Sequence, residues 1–382
     1  MTKLVFWLFS HNLTNTGAPL VLASIVRELV SFGRLKQLKL VSWGGLHDRR
    51  HSQLQHQLAA EGVAVQVLDP QQLAQSPRPG DRVLLNSLAL PELVLDQALS
   101  WLEQGLVPRL DWYAHEGDPW VWLPGSQWPQ RLQRCLQNGG LQLRVPSART
   151  LEIYGEWLGG VSPGLSVQAP RLELPDPLPQ VPARDPGVLK LQLTGMAGCG
   201  QKGHLWVLRW LEQALAQRPQ GSAGLRDLQL QFIGLETGTY AAFSRELIRR
   251  GEALLGSCFS WVEHGSREQA LAAMAGADFA LSCSLSETFS LVAAEAMALG
   301  QPLLRNRTGG WQEQLQQGIT GFDLGEPGPE LRAEQVQLLQ QLRDPQWLPA
   351  QQLDAMGQQA RERARSFQQL RYSPWLLGGE QL

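Results

Sequence analysis

Short apolar runs recur along this chain with a helix-length segment between successive runs, and that rhythm leaves few folds open. "LVFWLFS", "LKLVSW", "VAVQVLD" and "DRVLLNS" are separated by stretches such as "GAPLVLASIVRELVSFG". Such βαβα alternation predicts a parallel sheet covered by helices on both faces, because parallel neighbours need a long crossover and bury both of their sides. "LDWYAHE" and "LQLRVPS" extend the series to about residue 150. A second series begins at "LKLQLTGM" and runs through "LQLQFIG", "CFSWVEH", "ADFALSCS" and "PLLRNR". The expected fold is α/β, with two Rossmann-like doubly wound domains.

Length supports two cores: 382 residues with 43% hydrophobic content exceed one typical domain. Between the two series stand Pro163, Pro170, Pro175, Pro177, Pro179, Pro182 and Pro186, which neither complete a strand ladder nor continue a helix. We expect a first domain over 1–165, a proline-rich linker over 166–187 and a second domain over 188–365. Residues 366–382 form a terminal segment, expected to be helical to about Tyr372, to break at Pro374, and to be a candidate for crossing back to the first domain.

Charge is balanced, with 33 basic against 35 acidic residues, so no global field draws the chain to nucleic acid or to an anionic membrane. The first apolar run is too short for a signal peptide, and no segment reaches 18 uninterrupted apolar residues. A cytoplasmic location is expected, with peripheral membrane contact left open. Cys135, Cys199, Cys258 and Cys283 form no CxxC pair and read as reduced packing residues. His47 and His51 are four apart beside Asp48, but lack the HExxH pattern and a third ligand, so a solvated helix is the better reading.

Open parallel sheets bind ligands beyond the carboxyl ends of their strands. "ADFALSCS" reads as a strand, "LSETF" as the following turn, and "SLVAAEAMALG" as a helix that ends near Gly300. Glu287 lies at that helix's start, where the dipole alone would favour an acid. Glu295 lies inside it, among Leu291, Val292, Ala298 and Leu299, and a buried carboxylate needs donors. Ribose hydroxyls, a structural arginine or backbone amides would each serve, unless the helix leaves it exposed.

These two glutamates, with "SETFSLVAAEAMALGQPLLRNRTGGWQEQLQQGITGFDLG" around them, resemble the E-x7-E motif and flanking run of retaining GT-B glycosyltransferases, especially the family GT4. "GAPLVLASIVRELVSFG", the "HE" at 115–116, "VPSARTLEIY" and "QKGH" follow the family's order, so the resemblance spans the chain. It implies two domains facing each other across a cleft, a nucleotide-diphosphate sugar as donor substrate, no cofactor, and retention of anomeric configuration. It further implies donor binding by Gly17, Lys202, Glu287, Phe289, Ser290, Leu291 and Glu295, with His115, Lys202 and Glu287 at the reacting centre. Glu287 would hold the sugar and Glu295 the ribose, in which case no protein group needs to pair with Glu295. Glu116 is a candidate partner for His115.

One departure stands out. Where the family commonly has Gly-Arg, this chain has Gly195-Met196, so half of the usual cationic clamp is missing. Arg305 and Arg307 are the candidate replacements for binding phosphate. No D-x-D occurs, which fits GT-B, predicts metal independence, and leaves the diphosphate charge to Lys202 and oriented amides. The acceptor is unidentified: a small molecule, a glycan or a lipid-linked compound. Two other readings remain, a noncatalytic sugar-nucleotide sensor and a phosphorylase-like enzyme that uses inorganic phosphate.

Overall fold

The computed structural model describes residues 5–377 apart from 15–16, 35–36, 44–48, 69–74, 199, 218–223, 237, 239, 264 and 329. His47, Asp48 and Cys199, and the side chain of His51, lie outside the described residues.

The chain divides into two compact units, Met1–Arg171 with Leu370–Leu382, and Leu172–Gln369. In chain order the first contains β1 (Phe6–Ser10), α1 (Gly17–Ser31), β2 (Leu38–Ser42), α2 (Arg49–Ala60), β3 (Val65–Val67), β4 (Arg82–Asn86) and α3 (Glu92–Glu103). It continues with β5 (Leu110–Tyr113), α4 (Pro119–Trp122), α5 (Gln127–Gln137), β6 (Leu141–Val145), α6 (Ala148–Leu158) and β7 (Leu165–Val167). The second contains β8 (Val188–Thr194), α7 (His204–Ala216), β9 (Asp227–Leu235), α8 (Ala241–Leu255), β10 (Phe259–Glu263), α9 (Arg267–Met274) and β11 (Phe279–Ser282). After these come α10 (Leu291–Ala298), β12 (Leu303–Asn306), α11 (Trp311–Gln314), β13 (Gly321–Gly325), α12 (Ala333–Arg343) and α13 (Ala350–Gln368). A final helix, α14 (Ser373–Leu377), belongs to the first unit.

Every strand pairing described in both sheets is parallel. Strand order is β3-β2-β1-β4-β5-β6-β7 in one and β10-β9-β8-β11-β12-β13 in the other. Several apolar runs of the sequence become strands buried along their length, Phe6–Ser10 and Leu303–Asn306 having no exposed residue, whereas β10 from "CFSWVEH" is mostly exposed. Burial of a leucine such as Leu8 or Leu304 contributes roughly 1.5–3 kcal/mol. Trp112 and Trp210 are the largest fully buried side chains, and each finds a carbonyl for its indole N–H, Ser87 O at 3.2 Å and Gln335 O at 2.7 Å.

The C-terminal segment differs from expectation in one respect. Helix α13 ends at Gln368, and Pro374 opens a new helix rather than ending one, since proline's missing N–H costs nothing in a first turn. The Glu28 carboxylate on α1 accepts the amides of Tyr372 and Ser373, at 3.0 and 2.7 Å, and so caps α14. Trp375 Nε1 donates to buried Asp111 at 2.9 Å. No described helix is long and apolar enough to cross a membrane.

Candidate functional site

In the second unit the chain works outwards from β8 to β10, then returns to the other side of β8 with β11. Loops leaving two such neighbours diverge, and the crevice lies at their carboxyl ends. Lys202 is in the loop after β8 and Glu287 in the loop after β11. The loops are zipped together: Leu285 N–H donates to Gln201 O at 2.7 Å, and Gln201 Nε2 to Ser286 O at 3.1 Å. Gly203, at φ 80°, packs so closely that a Cβ would lie 2.1 Å from the Cys283 carbonyl oxygen. This docking sets Lys202 Nζ 2.7 Å from Glu287 Oε2.

Burial pushes the Glu287 carboxyl up, but Lys202, Arg305 and the Thr288 amide outweigh that and hold it below the ordinary carboxylate range. The pair is an ion pair in which Lys202 keeps about a third of its side chain exposed (32%). Three residues on, Ser290 adopts φ 67° and caps α10, its Oγ accepting Ala293 N–H at 3.3 Å. Glu287 therefore precedes the cap instead of sitting in the first turn. The amides of Leu291 and Val292 have no intrahelical acceptor and, with the helix dipole, favour an anion. A cavity of about 20 Å³ opens here, lined by Thr194, Lys202, Ser282 and Ser290 among others, with Ser282 Oγ buried and unpartnered among the described residues.

Glu295 is buried, and a structural arginine is its partner: Arg267 Nε donates to Oε1 at 2.6 Å while the same guanidinium binds the Glu173 carbonyl. The expectation that Glu295 has no protein partner is therefore corrected. Burial pushes its carboxyl up and Arg267 opposes the rise. The second oxygen, Oε2, has no hydrogen-bond partner among the described residues.

The two candidate replacement arginines differ sharply in surroundings. Arg305 is fully buried, its guanidinium bound to Gln314 Oε1 and to the carbonyls of Gly309 and Phe289, so reaching a ligand would break all three. Arg307 is exposed, paired with Asp323 at 2.7 Å and laid over Trp311. Phe289 turns its ring into the core, edge-on to Phe367 at 5.2 Å, which leaves its backbone as the part near Glu287.

The first unit repeats the topology, with its reversal between β1 and β4. Gly17 opens α1, is exposed, and a Cβ there would meet nothing within 4 Å, so the fold itself does not demand glycine. Asn86, at the end of β4, donates from Nδ2 to Ala18 O at 3.0 Å, and its Oδ1 lies 2.8 Å from His115 Nε2. That orientation makes Nε2 the protonated nitrogen and leaves a lone pair on Nδ1. Burial, with a smaller contribution from His11, lowers the His115 pKa to about 3, so the ring is neutral. Its partner is Asn86, not Glu116. Glu116 instead accepts from Ser87 Oγ and from the amides of Leu88 and His115, at 2.7 and 3.0 Å, bracing the loop after β4.

Among the described residues, the non-glycine residues with positive φ are Ser87 and Ser290, at 117° and 67°. Each stands in a loop beside a strand-order reversal, the place where backbone strain is tolerated for function. Sequence reasoning named Ser290 as a donor-binding residue but passed over Ser87, as it did Asn86, Gln201 and Arg267. An asparagine closing a strand-like run was the available signal for Asn86.

Residues 191–341 match the family described as glycosyl transferases group 1. Solved structures resemble the whole chain. Alr3699/HepE from Anabaena, in complex with UDP and glucose, aligns at TM-score 0.68 and 15% identity over 96% of this chain and 98% of its own. Sucrose-phosphate synthase from Thermosynechococcus elongatus aligns at 0.66 and 17% over 96% and 95%. The apo lipopolysaccharide outer core galactosyltransferase WaaB aligns at 0.66 and 13% over 96% of each. No curated protein matches this chain significantly. Residues 191–341 of the second unit are thus similar to glycosyl transferases group 1, and the chain as a whole has the two-sheet GT-B fold.

Proposed function

We propose that this chain is a retaining, metal-independent glycosyltransferase that moves a sugar from a nucleoside diphosphate to an acceptor hydroxyl. The observation that carries this reading is the Lys202–Glu287 ion pair at the β8/β11 reversal, beside the anion-favouring start of α10. The UDP and glucose of the Anabaena complex point to the donor chemistry. An arriving diphosphate offers Lys202 a doubly charged partner in place of Glu287, and the Leu291 and Val292 amides further donors. Released, Glu287 accepts hydrogen bonds from sugar hydroxyls, while Glu295 uses Oε2 for the ribose and keeps Oε1 on Arg267.

In the transfer, the acceptor oxygen bonds to the anomeric carbon as the bond from that carbon to the phosphate oxygen breaks. The diphosphate departs with the electron pair, and the acceptor proton passes to the leaving oxygen on the same face. Lys202 and the helix amides stabilise the charge that develops. His115, neutral with a lone pair on Nδ1, serves this step as a hydrogen-bonding group rather than a cation.

A panel of nucleotide sugars led by UDP-glucose, with mass-spectrometric detection of nucleoside diphosphate release, tests the reading. Binding without turnover on any acceptor would make the chain a sensor, and phosphate-dependent release of sugar phosphate would make it a phosphorylase. Absence of both binding and turnover would overturn donor use altogether.

A further inference from the structure

We infer that Arg305 is the internal counter-ion of Glu287, a positioning residue that frees Lys202 to turn from that carboxylate to a donor diphosphate. The inference rests on the donor reading above and goes beyond it, because Arg305 touches no ligand.

Arg305 is 0% exposed, and its hydrogen-bond partners are all neutral: Gln314 Oε1 and the carbonyls of Gly309 and Phe289. A guanidinium so enclosed is costly unless negative charge reaches it. The groups whose charge does reach it are Glu287 first, then Glu313, with the Cys283 thiol behind them kept neutral because burial pushes its pKa well up. Burial lowers Arg305 itself to about 10, which still leaves it cationic at neutral pH.

The surrounding backbone explains how this charge is aimed. Gly309 N–H donates to Glu287 O at 2.9 Å. A Cβ on Gly309 would come within 2.4 Å of that oxygen, and one on Gly310 within 2.4 Å of Phe289 O, so the two segments lie flush. Arg305 grips a carbonyl on each side of this contact. Through it, Gln314 is held with Nε2 on Ser290 O at 3.0 Å, which secures the cap of α10 as well. One buried arginine thus fixes the turn bearing Glu287 and sets a positive charge behind it.

Were Lys202 the carboxylate's sole cation, its departure to a diphosphate would strand a mostly buried anion. With Arg305 in place, Glu287 keeps a counter-charge throughout the exchange. The fold then recovers, from the interior, the second positive charge that Met196 withholds from the strand end.

A double-mutant cycle tests this. UDP and UDP-glucose are titrated calorimetrically into the wild type, Arg305→Met, Glu287→Gln and the double variant. Arg305→Met should weaken UDP-glucose binding about tenfold alone, but less than about threefold in the Glu287→Gln background, a coupling typical of interacting sites. Equal losses in both backgrounds would make Arg305 a structural residue only and overturn the inference. Arg305→Lys, which keeps the charge without the fork, should recover part of the binding, and Arg305→Gln, which also removes the charge, replaces Arg305→Met in both backgrounds if the latter does not fold. Urea denaturation of the same proteins without ligand supplies an independent reading: the midpoint shift caused by Arg305→Met should shrink when Glu287 is glutamine. If the wild type binds neither probe, the donor reading fails for uridine nucleotides, and equal denaturation shifts would then overturn the counter-ion role on their own.

Discussion

The two strand-order reversals are built alike and electrostatically opposite. At the first, Asn86 ties the start of α1 to a neutral His115 through uncharged amide and imidazole groups, and the acidic group beside them, Glu116, is engaged by Ser87 Oγ and by backbone amides. At the second, Lys202 and Glu287 in the strand-end loops and Arg305 on β12 bring three charges together, and Arg267 with Glu295 adds two more. Both reversals hold a serine in a strained backbone conformation. Equivalent topology therefore fixes where a crevice opens, while the side chains decide what chemistry it offers. A charged crevice suits a diphosphate, and a desolvated neutral one suits hydrogen bonding to an uncharged group.

The contrast breaks most sharply at Lys202. Lys202→Ala should lower turnover at least ~100-fold, on the scale of losing one donor to a developing oxyanion. Near-normal kcat with any accepted donor would remove Lys202 from the mechanism.

Glu295 separates ligand from fold within the charged region. Glu295→Gln should weaken UDP binding about tenfold, within the range of hydrogen bonds to charged groups. It should also destabilise the protein by about 1–2 kcal/mol, since Arg267 loses its carboxylate but is 30% exposed and screened by solvent. Arg267→Gln should reproduce the fall in melting temperature with a smaller loss of UDP affinity. Equal affinity losses in the two variants would leave Glu295 a structural partner alone.

Placing a charge in the neutral region is the converse experiment. Asn86→Asp sets a carboxylate at His115 Nε2 and should raise the ring's pKa from about 3 by roughly 1–3, the effect of an adjacent opposite charge. NMR titration of the His115 ring reads this directly, and an unmoved pKa would show that burial alone governs it.

Acid stability follows from the same burial. His11, His115 and His204 have pKa values lowered by burial to about 4, 3 and 3, whereas the unfolded chain protonates them near the ordinary 6.5. Between those limits the unfolded state binds more protons, so stability falls as pH drops below about 6.5. His204 is 0% exposed with both ring nitrogens unpartnered among the described residues. His204→Leu should therefore flatten the slope by up to about 1.4 kcal/mol per pH unit between pH 6 and 4. A slope unchanged in urea titrations across that range would contradict the assignment. The smallest effect is expected from EDTA, which should leave turnover unchanged; loss restored by Mn²⁺ or Mg²⁺ would reverse the metal-independent proposal.

Much of the architecture was legible along the chain because strand and helix patterns are local. The apolar runs marked both parallel sheets, and the turn between "ADFALSCS" and the following helix placed Glu287 in a strand-end loop. Pairings between distant segments were not legible. Asn86 meets Ala18 because β4 inserts beside β1 and His115 because β5 lies on its other side, and Lys202 meets Glu287 only because β11 returns beside β8. Arg305 and Arg307, two residues apart, read as equivalent cations, yet β12 buries the first completely and leaves the second exposed. Sequence determined which residues enter strands, helices and loops, since that depends on neighbours a few positions away. Tertiary structure alone decided which charges lose their water and which counter-charge each then finds, because desolvation and Coulombic pairing depend on distance in space.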